Sequence, residues 1–277
     1  MKKTPLTFHV VTLFPEAFES YLASSIVGRA VREKHVSVKF YNPRDFVKVT
    51  KKTDKPYIKV DGRPYGGGPG MVLQAEPFLK AVERALKDSG FKNQDSRIKK
   101  AGSRKLKPES SPVIYFFDAS GKQFTNKDAR ALAHVGFRKP NMKDKKGEKA
   151  EVVLICGHYE GIDARVQKVL KAKKISIGSY TLTGGELPAM VVIDAVARQI
   201  PGVLGTFESI EEERISSSEV YTRPEVFIWH GRKHRVPKVL LSGNHAKINE
   251  WKNRELLLDS SGAVLRQKPI PRPRGRL

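Results

Sequence analysis

The stretch EVVLIC at 151–156 constrains the fold more than any other part of this chain. Its continuous apolar run after Glu151 is what a strand carries when both of its faces are covered, as in a parallel sheet. Parallel neighbours are joined by crossovers, usually helices, so helices should alternate with strands along the chain. They do. TFHVVTLF at 7–14 reads as a buried strand, and Pro15 opens a helical segment through about Glu33 with Phe18, Leu22, Ile26 and Ala30 at helical spacing. VSVKFYN at 36–42 alternates like a strand, 76–87 reads as a helix, and 113–117 is a β-rich run ending in a turn at DASGK. A helix at 127–135 follows, then ISIGSYTLTGGE at 175–186 and a helix that stops before Pro201-Gly202. This order predicts an open α/β sheet with its ligand site at the carboxyl ends of the strands.

Charge and composition narrow the function. Lys and Arg number 52 against 29 Asp and Glu, a net charge of +23 over 277 residues. Solubility needs far less, so a polyanionic partner is expected. With 39% hydrophobic and 8% aromatic residues the chain can build a core, which excludes a disordered basic tail protein. The single cysteine, Cys156, excludes an internal disulfide framework and a zinc cluster of several thiolates, and fits a reducing, cytoplasmic setting. The N-terminal MKKTPLTFHVVTLF could pass for a secretory signal cut at LASS, 22–25. Pro5, His9 and Pro15 interrupt it, however, and Glu16 and Glu19 precede the supposed cut, so a strand followed by a helix is the preferred reading. No run approaches the 18 or so apolar residues of a membrane-spanning helix, and no membrane partner is expected.

The expected organisation is an α/β domain at 1–202 with basic inserts at about 90–111 and 138–149. An acidic, serine-rich linker at 203–220 carries Glu208, Glu211, Glu212 and Glu213. A small helical domain at 221–258 and a basic tail at 259–277 complete the chain.

Four groups of residues invite chemistry. Gly66, Gly67, Gly68 and Gly70, in YGGGPGM, would let backbone N–H groups approach a phosphate. The string lacks the GK[ST] ending of a nucleotide P-loop, and a plain flexible loop is the competing reading. Lys51, Lys52, Lys55, Lys59 and Arg63 around it favour an RNA backbone. His158, Glu160 and Asp163 follow the 151–156 strand, where carboxylates bind ribose hydroxyls or, with more ligands than are evident, a metal; no metal site is assigned. Gly178, Gly184 and Gly185 bracket a polar turn that would clasp a flat heterocycle, or simply need glycine. Asn244 and His245 have helix capping as their plain reading.

Taken together, YGGGPGM, CGHYEGIDARV at 156–166, SIGSYTLTGGELPAMVVIDAVARQIPGVLG at 176–205, YTRPEV at 221–226 and VPKVLLSGNHAKI at 236–248 closely resemble the bacterial tRNA (guanine-N1)-methyltransferases, the TrmD family of the SPOUT class. The resemblance runs from the first strand to about Trp251. It implies an α/β domain with a deep trefoil knot, a linker and a small helical tRNA-binding domain, assembled as a homodimer with a shared active site. It further implies S-adenosylmethionine as donor, S-adenosylhomocysteine as product, and the guanine 3′ of the anticodon, tRNA position 37, as target in the anticodon stem-loop. A Mg²⁺ requirement is left open by the residues. By motif match the cofactor pocket would comprise Phe116, Phe117, Gly157, Glu160, Ile177, Gly178, Ser179, Tyr180, Thr181, Leu182, Gly184, Gly185 and Pro188. The tRNA-binding set would comprise Lys51, Lys52, Lys55, Lys59, Asp61, Arg63, the glycines of the 66–70 loop, Asn244 and His245.

Arg198 occupies the position of the family's catalytic arginine, where a cation near O6 would stabilise charge developing on guanine. A carboxylate must take the N1 proton. The family's aspartate is missing from ESIEEERISSSEVYTRP, and counting from PGVLG places Glu213 there, with Glu212 as its rival. Two further departures are Ser179 in place of an aspartate and His158 in place of an arginine. A SPOUT methyltransferase acting on another RNA site and a non-catalytic RNA-binding relative are the competing functions.

Overall fold

A computed structural model describes residues 5–47, 58–90, 112–135, 151–204 and 219–253, with short strands at 257–258 and 264–265. The chain divides into two compact units, Met1–Gly205 and Thr206–Leu277.

The first unit is built on five parallel strands, β1 (Leu6–Val11), β2 (Val36–Tyr41), β5 (Val113–Gln123), β6 (Glu151–Ile155) and β7 (Lys173–Ser176), in the order β2-β1-β6-β5-β7. Strand β6 is central, paired with β1 from Thr7↔Glu151 to Val11↔Ile155 and with β5 from Val113↔Val152 to Phe116↔Ile155. Every residue of β6 is buried, which is why its sequence does not alternate. Its side chains feed two cores. Val152 and Leu154 join Leu6, Phe8 and Val10 beneath α2 (Ser25–Arg32), α4 (Asn126–Val135) and α6 (Glu186–Ala197). Val153 and Ile155 join Val11, Leu73, Phe78 and Val82 beneath α3 (Ala75–Asp88) and α5 (Ala164–Leu170).

The helical segment expected at 15–33 is three pieces, a 3-10 turn at Pro15–Phe18, α1 (Glu19–Ala23) and α2. Ser24 turns extended at ψ 153, and its hydroxyl donates to the Ser20 carbonyl. This break resets the helical phase. Phe18 and Ala30 are therefore buried as expected, but Ile26 is 41% exposed. The DASGK turn sits inside a longer strand, where the pairing of β5 with β7 slips between Phe117 and Lys122. Asp118 accepts from both the N–H and the hydroxyl of Ser120 there. Two-residue strands β3 (Asp61–Gly62) and β4 (Val72–Leu73) close the base of the glycine-rich loop.

The second unit is not purely helical, contrary to expectation. Beside α7 (His245–Asn253) it holds an antiparallel hairpin of β8 (Val226–Trp229) and β9 (Arg232–Arg235). Its turn residues His230 and Gly231 both have positive φ, 45° and 71°, as a two-residue type I′ turn requires. Short strands β10 (Leu257–Leu258) and β11 (Val264–Leu265) pair further on. Among the described residues no helix is long and apolar enough to cross a membrane.

Candidate active site

The carboxyl ends of β6 and β7 and the middle of β5 open onto a cavity of about 320 Å³. The loop after β6 and the loop joining β7 to α6 form its walls, together with Phe116, Phe117 and Asp118 in the middle of β5, at its register slip against β7. Although β5 separates β6 from β7, the two loops meet. Gly185 N–H donates to the Gly157 carbonyl at 2.9 Å, and His158 and Gly184 form an antiparallel bridge. The approach is so close that a Cβ on Gly185 would lie 2.5 Å from Cys156 Cα and 3.0 Å from Gly157 N. Glycine is required there because backbone, not a movable side chain, occupies the space.

The seam is locked from below by a buried polar chain. Glu186, 7% exposed, accepts from Thr12 Oγ1 at 2.6 Å through one oxygen and lies 2.7 Å from His158 Nε2 through the other. Thr12 Oγ1 in turn accepts from Phe14 N–H, and the Phe14 ring meets His158 edge-on at 4.8 Å. The strand that starts the chain thus holds both loops in place. A second cavity of about 320 Å³, lined by Phe14, Ala17, Glu186 and Leu187, shares His158, Thr183 and Gly184 with the first. Cys156 is fully buried beneath this seam, where burial and the Glu186 carboxylate push its thiol well above the usual range. It is no nucleophile.

The glycine-rich loop reaches the same rim. Glu160 N–H donates to the Met71 carbonyl, Leu73 N–H to Gly161, and Asp163 N–H to Leu73. Gly70, at φ +82°, has Glu160 so near that a Cβ would lie 2.5 Å from its carboxylate oxygen. YGGGPGM and GHYEGID, some ninety residues apart, are therefore one structure at the cavity mouth.

All the residues assigned from sequence to a cofactor pocket line this cavity except Ser179, which is exposed and not part of its wall. Asp118, His158, Tyr159 and Thr183 line it as well and were not in that set. Asp118 is legible only once β5 is seen to run past Phe117. Its carboxyl is held down to about 2 by Lys174, 2.7 Å away, and by the Ser120 hydroxyl. Asp163, considered as a ligand, caps α5 instead, accepting from Arg165 N–H and pairing with the Arg165 guanidinium at 2.6 Å. That pairing lowers its pKa.

Arg198 is not at the cavity. Glu186 starts α6 beside it and Arg198 follows the last residue of that 12-residue helix, about 18 Å further along. Of the residues assigned to tRNA, Lys59, Arg63 and the glycines Gly66, Gly67, Gly68 and Gly70 are at or near the surface. Asp61 is buried in β3 at 6% exposure, so it does not share their surface. Asn244 Oδ1 accepts from Lys247 N–H and caps α7, which His245 begins. Lys51, Lys52, Lys55, Glu211, Glu212 and Glu213 lie outside the described residues.

Comparison with known proteins agrees in scale with this arrangement. A family model described as tRNA (Guanine-1)-methyltransferase TrmD matches residues 6–262. A tRNA (guanine-N(1)-)-methyltransferase of Clostridioides difficile is 37% identical over 254 residues, covering 90% of this chain and 92% of its own. One from Dehalococcoides mccartyi is 42% identical over 252 residues, covering 90% and 84%. In structure, the chain is similar to the tRNA (m1G37) methyltransferase from Aquifex aeolicus, with a TM-score of 0.61, 32% identity and coverage of 90% and 88%.

Proposed function

Because this chain belongs to the tRNA (guanine-1)-methyltransferase family, its reaction is methyl transfer from S-adenosylmethionine to N1 of a tRNA guanine, and we propose that the cavity beside β5 at the ends of β6 and β7 holds the donor. The observation that carries this is the glycine seam. Two loops that meet through glycine backbone at Gly157, Gly184 and Gly185 face apolar walls from Phe116, Phe117, Leu182 and Pro188 in a volume suited to a small cofactor. A flat heterocycle fits between such walls, and Glu160 at the mouth offers a carboxylate to a ribose or an ammonium group. When bound, S-adenosylmethionine supplies an activated sulfonium methyl, so the protein has only to position, neutralise and deprotonate.

The target we assign is the guanine at position 37, 3′ of the anticodon, as in the relative from Aquifex aeolicus. N1 of guanine carries a proton at neutral pH, so N1 gains a methyl only as that proton leaves. Glu213 takes it as general base, with Glu212 as rival, and the Arg198 guanidinium balances the charge that grows on O6. The anticodon loop is single-stranded, so withdrawing the base costs less than in a duplex. Lys51, Lys52, Lys55, Lys59 and Arg63 hold the backbone, with the small C-terminal unit as a further tRNA-binding module.

The placement of Arg198 argues for a homodimer with shared sites. Along α6 and its C-terminal cap, Leu187, Val191, Asp194 and Arg198 recur at i, i+4, i+7 and i+11, a single stripe. Leu187 is 56% and Val191 46% exposed. Tyr21, 40% exposed, donates its hydroxyl to Asp194 and extends this surface. Packing two copies of α6 antiparallel buries the apolar half of the stripe. It also brings Arg198 of one copy to the cavity end of its partner's helix, which its own chain does not achieve. The contact between the 157–158 and 184–185 loops across β5 supports a knotted chain path. The decisive assay incubates the protein with labelled S-adenosylmethionine and a tRNA transcript bearing guanine or adenine at position 37. Label at N1 of guanine 37 alone is expected; label elsewhere, or none, overturns the assignment.

A further inference from the structure

The β8–β9 hairpin turns nearly all its side chains to solvent. Phe227, Ile228 and Trp229, three large apolar residues in succession, are 53%, 65% and 64% exposed. A hairpin ordinarily hides one face, so such exposure marks a contact surface. The His230-Gly231 turn pins the register from Val226↔Arg235 to Trp229↔Arg232. Residues opposite one another share a face, and faces alternate along each strand. One face therefore carries Phe227 with His234 and Trp229 with Arg232. The other carries Val226 with Arg235 and Ile228 with Lys233.

On the first face the Phe227 and His234 rings stack at 5.0 Å, with 17° between their planes, so each braces the other upright. Trp229 lies next along the strand, its ring edge-on to His230 at 4.8 Å. Arg232, Lys233 and Arg235 supply three cations, and no acidic residue occurs between Val226 and Arg235. Rings interleaved with guanidinium and ammonium groups suit a polyanion that offers flat faces, which describes unpaired nucleotides of RNA. A lipid surface would use the cations but not the alternation of ring and guanidinium on one face. A second copy of this chain would bring its own three cations against these.

We propose that the hairpin at 226–235 is a base-stacking contact for unpaired nucleotides of the tRNA substrate. The proposal rests on the reading of the chain as a tRNA methyltransferase and adds to it a contact that is neither phosphate clamp nor part of the cavity. The chain has two tryptophans, Trp229 and Trp251. Full-length Trp251→Phe protein therefore reports on Trp229 alone. Titration with unmodified tRNA transcript, and with a short single-stranded oligonucleotide, should quench its emission in step with binding. In the otherwise native chain, Trp229→Ala should weaken tRNA binding by about tenfold, Trp229→Phe should keep most of the affinity, and S-adenosylmethionine binding should be unchanged in both. Native affinity in Trp229→Ala overturns the proposal. So does Trp229 emission that responds to anionic phospholipid vesicles or to protein concentration but not to tRNA. Binding is read apart from turnover. A protein that binds tRNA through Trp229 without methylating it keeps the hairpin and loses the enzyme reading, and the opposite pattern does the reverse.

Discussion

Replacing Gly185 with alanine tests the seam on which the proposed cofactor site is built. The added Cβ would stand 2.5 Å from Cys156 Cα, 2.9 Å from Cys156 Cβ and 3.0 Å from Gly157 N. Carbon atoms settle at 3.5–4.0 Å, so the loops must part by about 1 Å. The obstructing atoms belong to Cys156 and Gly157, directly after the buried strand β6, and most are backbone that cannot yield by a rotamer change. Overpacking of this kind costs about 1–3 kcal/mol. Stretching the 2.9 Å bond from Gly185 to Gly157 removes about 1 kcal/mol more. A total near 2–4 kcal/mol in a unit of about two hundred residues lowers Tm by roughly 5 °C or more. Since the same loops wall the cavity, S-adenosylmethionine affinity should fall by at least about tenfold, and a 1 Å error in position should slow methyl transfer by about a hundredfold. Calorimetric titration of the cofactor, with a melt on the same sample, reads both effects. Gly62→Ala is the control: nothing lies within 4 Å of its added Cβ, and neither quantity should move. Native cofactor affinity in Gly185→Ala, with Tm lowered as expected, would mean that the seam is structural and the donor binds elsewhere.

Shared sites predict subunit complementation. Arg198→Ala and Gly185→Ala homodimers should each be nearly inactive, whereas mixed and re-equilibrated subunits should recover up to about half the activity per mixed dimer; no recovery would place Arg198 and the cavity in a single-chain site. Glu213→Gln should lower the single-turnover rate at saturating tRNA by about a hundredfold or more without changing S-adenosylmethionine affinity, while Glu212→Gln retains most of it; the opposite ranking reassigns the base. Asp118 gives the cavity wall one acid-side pH dependence. Its folded pKa of about 2 lies below the ordinary carboxylate value, so its stabilisation is complete above about pH 4 and is lost as pH falls toward 2. Both Asp118 and Lys174 are partly exposed, so the contribution is at most about 1 kcal/mol. The Tm difference between native protein and Asp118→Asn should be seen at pH 6 and close by pH 2; a difference constant across that range would refute the pairing.

The parallel sheet was legible because β6 is buried on both faces and its composition says so without help from any neighbour. Ile26 was misread because periodicity assumes an unbroken helix, and the extended backbone at Ser24 shifts the phase by an amount that no spacing encodes. The hairpin at 226–235 is hidden within an expected helical unit for a related reason. Its exposed strands do not alternate apolar with polar residues, and only the positive φ at His230 and Gly231 reveals the turn.

The cavity divides along the same line. Its glycines stand out in the sequence because they mark places where a side chain would collide, and local strings such as TGGE and GHYEG keep that mark. What the strings conceal is the reason for the collision, which is contact between segments twenty-eight to ninety residues apart. Read alone, His158 is a departure from the arginine that the family resemblance leads one to expect. Beside Glu186 and Thr12 it completes a polar chain from β1 to both loops. An arginine at 158 could donate to Glu186 as well, but it would bring a permanent charge and a longer stem to the 7%-exposed Glu186 carboxylate. The imidazole instead packs against Phe14 and fits the space over Gly184, where a Cβ would lie 2.5 Å from its ring. The histidine is therefore matched to its glycine neighbour. The departure is a local solution to closing the seam, and the two loops still meet through Gly157 and Gly185.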